Sequence, residues 1–147
     1  MRARKNMPST IAALAVVATI TALTSCSESP TWGWSDAGVH QVRVHELTVP
    51  DTIASDEVLS IQFFGDTRIN GQPTLSRIDA VRESAEIELT VWAEVEVWIG
   101  SGPAPPYPVS ISAEYQAQPP FDPGEFRVVI HQPDGSQLVQ SVLVVES

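Results

Sequence analysis

From Glu86 to Ile99 apolar and polar positions alternate without a break. Ile87, Leu89, Val91, Ala93, Val95, Val97 and Ile99 are apolar; Glu86, Glu88, Thr90, Trp92, Glu94, Glu96 and Trp98 fill the places between. A period of two predicts a strand with one face in a core. A helix would scatter the four Glu around its circumference, and the β-branched content favours strand. The run is 14 residues long, against about five or six for an ordinary strand. A bend, a bulge or a strand serving two sheets is therefore expected.

The same period recurs on both sides. Val42 and Val44 oppose Arg43 and His45, and the segment runs on through Leu47-Thr48-Val49 to Pro50. Pro50 has no N–H for a ladder and ends or edges the strand. Within Glu57–Phe64, Leu59, Ile61 and Phe63 face one way, Ser60 and Gln62 the other. Leu75–Val81 is weaker and Val109–Tyr115 alternates again. Phe126–Ile130 and Gln137–Val145 flank Pro133-Asp134-Gly135, a hairpin turn in which Pro presets φ and Gly takes the left-handed place. Gly65-Asp66 and Asn70-Gly71 are further turn signals, and residues 100–108 and 116–124 are Pro-rich connections. Seven strands, no amphipathic helix and frequent turns predict an all-β chain folded as a small antiparallel sandwich.

The N-terminus follows another pattern. Arg2, Arg4 and Lys5 precede an apolar stretch, Ile11–Leu23, of 13 residues, short of the roughly 20 that cross a bilayer. This reads as a secretory signal. It ends in Leu23-Thr24-Ser25-Cys26, which resembles the lipobox of bacterial lipoproteins at all four positions. The resemblance covers residues 1–26. It implies diacylglycerol on the Cys26 thiol and cleavage before it, with residues 1–25 lost. Ser27, where an Asp would signal inner-membrane retention in the enterobacterial pattern, favours the outer membrane of a Gram-negative host. Two or more acyl chains anchor stably where one does not, at about 0.8 kcal/mol per buried methylene. Residues 26–38 read as a lipidated tether. Trp32 and Trp34 within it are either membrane-interface anchors or side chains docked on the domain, which is expected over 39–147.

Cleavage sharpens the charge. The chain has 147 residues and a formal charge of −10. Without its leader it keeps five Arg against all 18 acids, a side-chain charge of −13, with no Lys and no Met. Nucleic acid, which is held through Lys and Arg on phosphates, is excluded as a partner. So is attraction to anionic lipid. Cys26 is the only cysteine, so no disulfide braces the fold and a hydrophobic core must hold it.

The segment Phe121-Asp122-Pro123-Gly124-Glu125-Phe126-Arg127-Val128-Val129-Ile130 and the Val-rich strand after it resemble the closing strands of bacterial immunoglobulin-like domains. The resemblance spans roughly residues 39–147 and implies a single immunoglobulin-like β-sandwich. It implies no particular activity.

Candidate chemistry is sparse. His40, His45 and His131 show no metal-ligand spacing. Gly100-Ser101-Gly102 is not a nucleophile elbow. No cofactor and no metal are expected, and no enzyme. The face carrying Glu86, Glu88, Trp92, Glu94, Glu96 and Trp98 has the most character. It reads as a partner surface, as a divalent-cation site, or as the ordinary polar side of a half-buried strand. Tyr107, Tyr115 and Phe121 are either ligand platforms or plugs for the open ends of the sandwich. The expected role is a non-catalytic, lipid-anchored envelope module for interaction or structure, with Trp92, Trp98, Glu94, Glu96 and Tyr107 as candidate contacts and an envelope protein as partner. The alternative is a lipoprotein binding a small ligand or carbohydrate.

Overall fold

The structure, a computed structural model, describes residues 32–147. The signal segment, the lipobox and Cys26 lie outside them. The described chain is all-β. Its strands are β1 (Gly33–Gln41), β2 (Arg43–Thr48), β3 (Thr52–Ala54), β4 (Leu59–Asp66), β5 (Gln72–Arg82), β6 (Glu86–Ile99), β7 (Ser110–Ala117), β8 (Gly124–His131) and β9 (Gln137–Val145). All seven segments expected from the alternation are strands. The short β3 is additional, and so is β1, which takes up residues 33–38 of the expected tether. Among the described residues strand pairing begins at Gly33. Backbone pairing with β6, not side-chain pattern, makes this segment a strand.

Two sheets close on one core. The smaller holds β2, β4 and β7; the larger runs β1-β6-β8-β9-β3, with β5 also on β6. Strand β6 has neighbours along both edges. On one edge β5 pairs with most of its length. On the other, Glu86–Leu89 pairs with β8 and Trp92–Ile99 with β1. Its unusual length thus serves three neighbours within one sheet. The crossing between sheets falls instead at Val42. Its N–H donates to Val91 O at 2.8 Å, and beyond it the chain enters β2 beside β4. The pairing is not wholly antiparallel, contrary to the expectation: β6–β8 and β3–β9 are parallel. Both pairs are joined by long connections, which parallel neighbours require.

The core collects the alternating faces. Val42, Leu59, Ile61, Leu89, Val91, Ala93, Val128, Ile130 and Val142 are completely buried, with Ile87 and Phe126 almost so. Each large aliphatic contributes roughly 1.5–3 kcal/mol by leaving water. Gln132, only 9% exposed, joins the hairpin to the other sheet. Its side-chain amide donates to Val44 O (2.8 Å) and accepts from Val44 N–H (3.0 Å), across the irregularity between Val44 and Glu46 in β2. In the hairpin turn Gly135 takes φ +81°, while Asp134 accepts from the Ser136 N–H and hydroxyl. At one end of the barrel-like core, Phe121 meets Phe126 edge-on at 5.1 Å. Arg82 lies 4.3 Å over Phe121 and donates to the carbonyls of Gln118 and Pro120. Phe121 is buried at this end, whereas Tyr115 packs half-buried on the core from within β7, opposite Ile61.

Candidate functional site: an aromatic crown

At the other end of the molecule the β1–β6 ladder runs past the core. The apolar face of β6 is buried as far as Val95, half-buried at Val97 and exposed at Ile99. The register Trp34↔Trp98 and Gly33↔Ile99 brings the start of β1 to this end. The β6–β7 loop and the β4–β5 turn close over it. Gly71 in that turn sits where a Cβ would meet Glu96 O at 2.5 Å and Val95 Cγ1 at 2.7 Å, so only glycine allows the approach.

Four aromatic rings meet here. Trp34 stands edge-on to Trp98 (5.5 Å) and to Tyr107 (5.1 Å), and Trp32 is 6.3 Å from Trp98. The Trp98 indole N–H donates to Gly102 O at 3.3 Å, and the Tyr107 hydroxyl donates to Asn70 Oδ1 at 3.0 Å. A shallow cleft of about 370 Å³ opens between Trp32, Trp98, Ser101, Gly102 and Pro103. Of the five candidate contacts, the structure therefore unites Trp98 and Tyr107, through Trp34. Trp32 and Trp34 belong to the same group. Their W-x-W spacing, Trp34 in β1 and Trp32 just before it, was the available signal.

Trp92 is elsewhere. It lies six residues back along β6, with its N–H donated to Asp79 Oδ2 at 2.7 Å and the Arg77 guanidinium 4.7 Å over its ring. Its half-buried ring is thus engaged by two β5 side chains and takes no part in the crown. Glu94 and Glu96 are exposed. Glu94 sits between Val39 and Thr74, and Glu96 between Asp36 and Gln72. Among the described residues no set of three or more His, Cys, Asp or Glu converges as a metal would need.

The histidines stand apart from one another. His40 bonds Ala37 O at 2.8 Å, His131 bonds Glu88 at 2.9 Å, and His45 bonds Asp66 at 2.6 Å. Asp66 is the carboxyl this shifts. Partial burial pushes its pKa up, but the hydrogen bonds from His45 and the Arg68 N–H outweigh that and hold it below the usual value.

No family model matches the chain, and neither curated proteins nor solved structures give a match.

Proposed function

We propose that this protein is a lipid-anchored, non-catalytic module of a bacterial cell envelope, an immunoglobulin-like sandwich that presents its surface to a partner. The observation that carries the reading is the spacing between anchor and fold. Cys26 of Leu23-Thr24-Ser25-Cys26 precedes Gly33, the first residue of β1, by seven residues, at most about 25 Å of extended chain. A diacylated Cys26 holds the domain close to the membrane, oriented by the end from which β1 begins. The acidic body then faces away, with Glu94 and Glu96 on its exposed side. Two sheets around one core support the sandwich reading; the parallel β6–β8 contact makes it a variant.

Labelled palmitate should enter the wild type and be absent from Cys26→Ala. Equal label in both would sink the anchor. Crosslinking in whole cells with a C-terminal tag should then yield a stoichiometric envelope partner. A clean monomer would favour the second reading, a small ligand or carbohydrate in the Trp32–Trp98 cleft. That reading predicts a saturable change in tryptophan emission on glycan titration.

A further inference from the structure

The aromatic crown is built from uncharged segments. Residues 97–113 carry no charged side chain, nor do 32–35 or 69–76, in a chain whose side-chain charge beyond its leader is −13. These three stretches, distant in sequence, meet at one end through the β1–β6 and β5–β6 registers and the Tyr107–Asn70 bond. The crown also exposes apolar side chains: Trp32 is 64% exposed, Ile99 49% and Val109 55%. Charges resume at its rim. Asp36 and Glu96 pair across β1–β6 two steps below Trp34 and Trp98, about 7 Å down the ladder. Asp66, at the end of β4 opposite Ser110, and Arg68, in the β4–β5 turn, line a cleft beside Val109.

We infer that this crown docks into the headgroup layer of the bilayer that carries the Cys26 lipid, with Trp32, Trp98, Ile99 and Val109 entering it. The inference rests on the lipoprotein reading. The chain outside the described residues fixes the occupant. Cys26 is six residues from Trp32, about 21 Å when fully extended, whereas the 14-residue β6 alone spans about 46 Å. The far end of the domain is therefore out of reach of the anchored surface, and the crown is the end delivered to it. Trp and Tyr favour the interfacial layer because their rings are apolar at one side and polar at the other. An uncharged crown avoids the repulsion that an acidic face would meet at anionic lipid. Each acyl chain and each inserted side chain then acts on a domain already held in place, so a modest apolar area suffices.

The test uses the mature, lipidated protein in phosphatidylcholine vesicles with bromines placed shallowly on the acyl chains. One variant keeps Trp98 as the sole tryptophan, the others being changed to Phe; a second keeps Trp92. Palmitate labelling precedes the measurement. Quenching and a blue shift at Trp98, with Trp92 unaffected, is the expected result. Wild-type protein should also show slower hydrogen exchange over 97–109 in vesicles than in detergent, and Trp32→Ser with Ile99→Ser and Val109→Ser should remove that difference without unfolding the domain. Absence of palmitate overturns the anchor and the docking together. Palmitate present with Trp98 unquenched overturns the docking alone. Equal quenching of Trp98 and Trp92 means that the domain lies flat, which also overturns it. Protection of Trp98 from acrylamide in native envelopes but not in vesicles assigns the crown to a protein partner instead.

Discussion

Gln132 is a single side chain standing in for a strand. Its amide supplies both the donor and the acceptor that the Val44 backbone lacks where β2 bulges. Gln132→Leu keeps the bulk and leaves two buried backbone groups without partners, at about 1–3 kcal/mol each. The urea midpoint should fall accordingly with an unchanged slope; an unchanged midpoint would mean that water replaces the amide. Asp66 acts through its charge. Its folded pKa lies below the unfolded one, so its contribution is present above about pH 4 and is lost as the pH falls through the folded value. Asp66→Asn has no carboxylate to protonate. Its Tm should fall less than the wild type's between neutral pH and about pH 2.5, and parallel curves would rule Asp66 out as a source of acid sensitivity. Trp92 and Trp98 show what one sequence leaves open at this scale. They occupy equivalent outward positions of the same alternation. Their fates differ only because Arg77 and Asp79 come from one neighbour and Trp34 from another.

Strand β6 makes the equivalent point for elements. Its one apolar face serves two environments, a closed core up to Val95 and open surface at Ile99. Leu89→Ala should cost about 2–5 kcal/mol and Ile99→Ala less than about 0.5 kcal/mol, read from chemical unfolding. Similar losses would place the end of β6 inside the core. Gly71→Ala should also destabilise, because its Cβ has no room against Glu96 O. The elements legible in the sequence were those with one buried and one wet face, β4, β6 and the β8–β9 hairpin. Strand β5 was faint because it is an edge, mostly exposed along its length. Residues 33–38 of β1 look like tether because Gly33, Gly38 and the irregularity between Asp36 and Val39 break the alternation. Beyond the β8–β9 hairpin, which strands become neighbours was not legible. Alternation specifies a face, whereas the parallel β6–β8 and β3–β9 contacts depend on how long connections close.

Across the whole molecule, the uncharged aromatic surface gathers at one end, while single exposed aliphatics such as Val81 and Leu143 lie elsewhere. The crown could not be seen in the sequence because its three uncharged stretches are far apart in the chain. Their coincidence is a product of register.

The position of β9 has a consequence for how such a chain reaches its place of work. It lies between β8 and β3, pairing with both, so residues near 52 find their neighbour only when residues near 144 arrive. A polypeptide emerging N-terminus first would therefore be released almost entirely before its fold could close. A chain ending between His131 and Gln137 would be not a smaller domain but a species with two open β edges, at β8 and at β3, ready for proteolysis.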